Sequence, residues 1–239
     1  MSKDIYKRFD AQDEKLNKIL ENQYKLIEML KGEEPQPDIE ELMPYPIENA
    51  KLTWPDASES FYPDYLNRDS DVFRVNPDGS IYFRVVKSGT TPNTKYSRCE
   101  FRWMKSPDDK KNWNWHVGEM LSMRYGVKMH SVWGKDTTVV SQVHGEKDPY
   151  FKIAIGKGQV RALCKTREGL TKDDEVIVLY DDAVPDKDYI IDWIFNGHNL
   201  SIRDATGSWN TVVFVREDSY YPKAGCYGKA PAECTHFKI

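Results

Sequence analysis

Three short stretches, far apart in the chain, each place polar, chemically capable residues at every second position. They are Arg98-Cys99-Glu100-Phe101-Arg102, Gln142-Val143-His144 and Tyr221-Pro222-Lys223-Ala224-Gly225-Cys226-Tyr227. Side chains alternate across a strand. Read as strands, the stretches set Arg98, Glu100 and Arg102 on one face, with Cys99 and Phe101 behind. Gln142 and His144 share a face over Val143. Tyr221, Lys223 and Tyr227 share one over Ala224 and Cys226. As neighbours in one sheet they would form a cationic, hydrogen-bonding floor holding a His and a Tyr, which suits an acidic sugar. Each piece alone also has a plainer reading. Arg98-Glu100-Arg102 is the pattern of a surface ion-pair ladder, and a lone His144 or Tyr227 is commonly just a sheet residue.

The three stretches resemble the signature motifs of alginate lyases of polysaccharide lyase family 7. Those motifs are an Arg-x-Glu-Leu-Arg type strand, a Gln-Ile/Val-His strand, and a Tyr-Phe-Lys-Ala-Gly-x-Tyr-Asn-Gln strand near the C-terminus. Their order along the chain is the same. The resemblance covers roughly Leu52 to Ile239 and leaves out the N-terminal segment. Phe101 stands where Leu is usual, Pro222 replaces the Phe of the third motif, and Gly228-Lys229 replaces its Asn-Gln. That last pair bears on subsite contacts, and so on which polymer is taken. The resemblance implies a concanavalin-like jelly roll. It implies catalysis by Arg98, Gln142, His144 and Tyr227, with His or Tyr as base depending on the uronate epimer. It also implies no metal and no cofactor.

The residue types fit that chemistry. A uronate polymer can be cut without water, by β-elimination: a base removes the C5 proton and the 4-linked oxygen leaves. The carboxylate beside C5 must be neutralised so that the carbanion-like state is stabilised, and a base and an acid must be supplied. Arg98 offers a permanently charged bidentate fork for the carboxylate, and Gln142 a further hydrogen bond. His144, with an ordinary pKa near 6.5, is a base at neutral pH. Tyr227 can donate its phenolic proton to the leaving oxygen, or act as base if a nearby Arg lowers its pKa. Arg102 and Lys223 read as carriers of flanking uronates, with Tyr221 on the same substrate-binding face. Glu100, between two arginines, orients them.

The chain of 239 residues is long enough for one sizeable two-sheet domain plus an appendage. Its 13% aromatic content, with 14 Gly and 13 Pro, favours strands and turns. The net charge of −4 gives no global basic field for nucleic acid or a membrane surface. No stretch approaches the roughly 18 apolar residues of a membrane span. The first ten residues contain no apolar core of a secretory signal, so an enzyme acting on an extracellular polymer would need another route out. Cys99, Cys164, Cys226 and Cys234 show no Cys-x-x-Cys pairing and read as free buried thiols. Cys226, Cys234 and His236 match no common zinc spacing.

Residues 1–31 read as an oligomerising coiled-coil helix. Phe9, Leu16, Gln23 and Leu30 occupy a positions, and Ile5, Gln12, Ile19 and Leu26 occupy d positions. Leu20, Ile27 and Met29 widen the stripe, which favours a trimer through residues 5–30 over docking on the chain's own domain. Residues 32–51, with Pro35, Pro37, Pro44 and Pro46, read as an extended linker. From 52 to 239 the pattern is short strands: 80–86, 137–144, 150–155, 159–166, 175–180, 189–195, 199–203, 211–216 and 235–239. Asn196-Gly197 makes the turn between two of them. An all-β sandwich or jelly roll follows. Trp103, Trp113, Trp115 and Trp133 read mainly as core, and the run through His116 as core or cleft wall.

Two function classes follow. The first is a lyase on an anionic polysaccharide, alginate foremost and glucuronan as a variant, with carriage on a phage virion by its helix as one route of delivery. The second is a carbohydrate-binding or adhesion module on the same scaffold with chemistry lost.

Overall fold

The computed structural model describes residues 47–86, 96–105, 115–131, 137–228 and 231–239. The expected coiled coil, most of the expected linker, Trp113, Trp133 and Lys229 lie outside the described residues. Strands are numbered in chain order. Eight form one sheet, in the spatial order β10 (Glu175–Tyr180), β9 (Gln159–Cys164), β8 (Pro149–Gly156), β7 (Thr137–His144), β14 (Tyr221–Gly228), β5 (Ser97–Trp103), β1 (Ala50–Thr53) and β2 (Glu59–Phe61). Seven form the other: β13 (Trp209–Val213), β12 (Asn199–Arg203), β11 (Asp188–Phe195), β6 (Leu121–Met129), β15 (Ala232–Phe237), β4 (Ile81–Val85) and β3 (Phe73–Val75). All neighbouring strands run antiparallel. The result is the expected all-β, jelly-roll-like sandwich.

Alternation fixes which face is buried. On β5, Cys99, Phe101 and Trp103 point inward and are fully buried. Phe101 meets Phe73 and Phe83 of the opposite sheet at ring distances of 5.2 and 5.4 Å. Phe151 of β8 meets Trp193 of β11 at 5.1 Å. Each large apolar side chain so buried contributes about 1.5–3 kcal/mol. These contacts hold the eight-stranded sheet rigid from behind, leaving its other face for polar residues. Behind Gln142, the hydroxyls of Ser141 and Tyr125 meet at 2.5 Å and join the two sheets. All four cysteines are buried and free.

Several boundaries differ from expectation. β1 begins at Ala50, inside the expected linker, because its partner β5 extends the ladder to an Ala50–Trp103 pair. The last two expected strands sit two to three residues earlier, at 209–213 and 232–237. β6 was not among the expected strands, though Leu121, Met123, Tyr125, Val127 and Met129 alternate strictly inward. Its methionines and Gly126 are poor strand formers by themselves. Gly126 is required by packing: a Cβ there would overlap the ring of Phe237. Trp103 and Trp115 are core residues, as is His236, which stacks on Tyr125 at 5.1 Å.

Candidate active site

β14 lies between β7 and β5, so all three chemically rich stretches are neighbours. The register brings Lys223 between Gln142 and Arg102, Tyr221 opposite His144, and Tyr227 opposite Arg98. Register partners project to the same face. The row continues to Lys51 of β1, which pairs with Arg102, and to Lys152 of β8, which pairs with Gln142. One line across five strands therefore reads Lys51, Arg102, Lys223, Gln142, Lys152. Glu59 holds Lys51 at 2.7 Å and Asp173 holds Lys152 at 2.9 Å, capping its two ends. Lys51 and Lys152 were not among the expected site residues. Neither has a motif around it, and only long-range pairing puts them there.

The third stretch needs two unusual residues. Gly225 has φ of 151°, and a Cβ there would overlap the Cys99 carbonyl and the Glu100 backbone. It lies in the bulge that interrupts β7–β14 pairing between Ala224 and Tyr227, a place where a strand bends. Pro222 sits in a central strand, where a missing N–H is normally excluded. Here pairing with β5 begins only at Lys223, so β14 gives up a ladder bond on that side.

Glu100 is the hub. It is 1% exposed, forms an ion pair with Lys223, lies 3.8 Å from Arg98, and accepts a hydrogen bond from the Gln142 amide at 2.5 Å. Burial alone would raise its carboxyl. The Lys223 ammonium, the Arg98 guanidinium and these hydrogen bonds outweigh it and hold Glu100 below the usual carboxylate range. Burial also pulls the Lys223 ammonium below its ordinary value, against the attraction of Glu100. One Gln142 N–H is thus spent on Glu100, which fixes the amide so that its second N–H is aimed.

His144 is pulled down to about 4 by burial and by the Lys223 charge, so it is neutral at pH 7. Its Nδ1 lies 2.6 Å from the Gly145 carbonyl oxygen. A carbonyl only accepts, so Nδ1 carries the hydrogen and Nε2 keeps the lone pair of a base. The His144 and Tyr221 rings stack 5.4 Å apart, and the Arg102 guanidinium lies 3.7 Å over the other ring of that pair, Tyr221. Burial raises the Tyr221 phenol, with Arg102 opposing, which keeps it protonated at neutral pH.

Arg98 and Tyr227 form a second cation–aromatic pair, 4.7 Å from charge to ring centre. Its backbone lies further along the ladder than His144. Tyr227 pairs with Val139, five residues along β7 from His144, about 16 Å at strand rise. The structure thus gathers Arg98, Gln142 and Lys223 around Glu100, sets Arg102 and Tyr221 beside His144, and lays Tyr227 against the Arg98 guanidinium. All the expected residues lie on one face, with Arg98 and Tyr227 toward the Val139 end of β7 and Arg102 and Tyr221 toward its His144 end.

Comparison with known proteins now decides the family. The family model described as alginate lyase matches residues 45–236. The chain belongs to the alginate lyase family. It is accordingly a polysaccharide lyase, a carbon–oxygen lyase. Solved structures agree on the fold. Alginate lyase A1-II′, of polysaccharide lyase family 7, is 23% identical, with a TM-score of 0.68 over 80% of this chain and 92% of that one. An alginate lyase from Pseudomonas aeruginosa is 20% identical, with a TM-score of 0.67 over 80% and 96%. The alginate lyase from Klebsiella pneumoniae is 16% identical, with a TM-score of 0.66 over 80% and 94%. No curated protein sequence matches the chain significantly.

Proposed function

We propose that this alginate lyase family member cleaves alginate, or a closely related polyuronate, by metal-independent β-elimination over His144 and Tyr221. The observation that carries this is the register: the phenol directly opposite His144 belongs to Tyr221, and Arg102 lies on its ring. Arg102 and the free N–H of Gln142 hold the C6 carboxylate, so charge developing at C5 is stabilised. His144 Nε2 takes the C5 proton. The C4–O4 bond breaks, a C4–C5 double bond forms, and the Tyr221 hydroxyl gives its proton to O4. Lys223 keeps Glu100 neutralised and adds positive potential beneath the sugar.

The remaining candidates are assigned to flanking units. The row from Lys51 to Lys152 crosses strands about 4.8 Å apart, a spacing comparable with the repeat of an extended pyranose chain. Such a polymer would meet a cation or amide at each step. Arg98, 3.8 Å from Glu100, and the Tyr227 ring beneath it lie on the same face beside that row. Assembly belongs to the same proposal. The heptad of residues 5–30 supports a trimer, which would add avidity on a repetitive polymer and could attach the enzyme to a virion.

The test is incubation with a panel of polyuronates in the presence of a chelator, read by ultraviolet absorbance of the unsaturated ends. Gain of absorbance on alginate is the expected result. Binding without any gain on any uronate polymer would move the protein to the class of carbohydrate-binding modules, and gain on glucuronan alone would change the substrate.

A further inference from the structure

At the turn that follows His144 lies an ion pair with no part in the reaction above. Arg216 is 3% exposed and grips Asp218 through Nε at 3.0 Å and Nη2 at 2.8 Å. The same guanidinium donates to the Pro149 carbonyl at 3.0 Å and the Asp148 carbonyl at 3.1 Å. Asp218 accepts the Glu146 N–H at 2.9 Å, and its own carbonyl accepts the Tyr150 hydroxyl at 2.8 Å. Arg216 also lies 3.8 Å over the Tyr150 ring. The turn 145–149 is therefore bonded to this pair at three backbone positions. It is closed on itself by the Gly145 N–H to the Asp148 carbonyl, 2.9 Å.

That turn carries the carbonyl that holds His144. The fit leaves no slack: a Cβ on Gly145 would overlap the Asp218 carboxylate. The other end of the pair leads within three residues into Tyr221. One buried ion pair thus anchors both the turn after His144 and the entry to the strand bearing Tyr221.

We propose that Arg216 and Asp218 are positioning residues, which fix the Gly145 carbonyl so that the neutral imidazole of His144 keeps its hydrogen on Nδ1 and its lone pair on Nε2. An imidazole free in water prefers the opposite tautomer, with hydrogen on Nε2, which is useless as a base there. Loosening the turn therefore disarms His144 without touching substrate contacts. Misplacement of a reacting group by about 1 Å can cost on the order of 10²-fold in rate. The inference rests on the lyase reading for its kinetic consequence, but its structural content stands apart from it.

The experiment reads tautomers and rates separately. Long-range proton–nitrogen NMR on the full chain without substrate, with His144 identified by loss of its signals in His144→Gln, should show hydrogen on Nδ1 only. Asp218→Asn keeps volume and an acceptor for the Glu146 N–H, and Gly145→Ala pushes on the pair from the opposite side. In both, hydrogen should appear on Nε2, and kcat should fall roughly 10²-fold with KM little changed. Hydrogen on Nε2 in the folded wild-type protein would overturn the proposal outright, whether or not any variant folds. So would variants whose kcat is unchanged, or whose kcat falls while the His144 tautomer stays as in wild type. A wild-type protein with the expected tautomer but no activity on any polyuronate would instead overturn the lyase mechanism.

Discussion

Tyr221 stands directly across the β7–β14 ladder from His144, and the two rings stack 5.4 Å apart at 21°. In the proposed mechanism it makes Tyr221 the acid. Tyr221→Phe removes only the phenolic proton and should lower kcat by about 10²–10⁴-fold. Tyr227→Phe, about 16 Å along the strand by its rise, should change kcat by less than about tenfold, and its effect should fall mainly on KM. Steady-state kinetics on one polymer compare the two. Equal losses, or the greater loss at Tyr227, would return the acid to the Arg98 end of the cleft.

The acidic limb of the pH profile follows from His144. Its neutral form is the base, and burial together with Lys223 pulls it to about 4. Activity should therefore persist as pH falls through 6 and fail only near 4, well below an ordinary histidine limb. Stability carries the same sign. The unfolded histidine titrates near 6.5, so between about 6.5 and 4 the unfolded state binds more protons. Stability is lost as pH falls through that window. His236, also pulled to about 4 by burial, adds to it. Urea midpoints at several pH values check this, and a midpoint independent of pH there would contradict it.

Glu100 and Lys223 are both buried and face each other. Glu100→Gln leaves the ammonium buried without its counter-charge, and breaking such a pair costs about 3–5 kcal/mol. The double variant Glu100→Gln, Lys223→Met removes both charges and should recover most of that stability while staying inactive, since the Gln142 amide is no longer held against a carboxylate. Chemical denaturation and turnover measured together separate the two effects. A stable, active Glu100→Gln would show that the hub is dispensable.

The faces of the floor were legible in the sequence because a period of two needs only local alternation. Arg98, Glu100, Arg102, Gln142, His144, Tyr221, Lys223 and Tyr227 all project where the pattern puts them. Alternation alone does not say which tyrosine gives the proton. Tyr221 and Tyr227 share a face and similar surroundings in sequence, and the proposed choice between them rests on register. Register here is set by the pairing of β14 with β7, whose Gln142-Val143-His144 stretch lies seventy-seven or more residues earlier in the chain, and by the bulge at Gly225. Lys51 and Lys152 were invisible for the same reason. Nothing near either marks it until β1 and β8 pair into the sheet.

The final prediction concerns where the catalytic unit starts and how it assembles. The heptad from Ile5 to Leu30 carries six apolar seam residues, and exposing each large one would cost about 1.5–3 kcal/mol. The full chain should therefore be a trimer, and a chain beginning at Tyr45 a monomer with the same turnover per subunit. A start at Lys51 should behave worse. It removes the Ile47 carbonyl that accepts the Tyr65 hydroxyl at 2.5 Å, the Asn49 carbonyl that accepts the Met104 N–H at 3.0 Å, and Ala50, which pairs with Trp103. Those contacts brace β5, the strand that presents Arg98, Glu100 and Arg102. The Lys51 chain should therefore unfold at lower denaturant and lose activity along with stability. Light scattering, denaturation and turnover on the three proteins decide the matter. A monomeric full chain overturns the trimer, and a Lys51 chain as stable and active as the Tyr45 chain shows that β5 needs no support from residues 47–50.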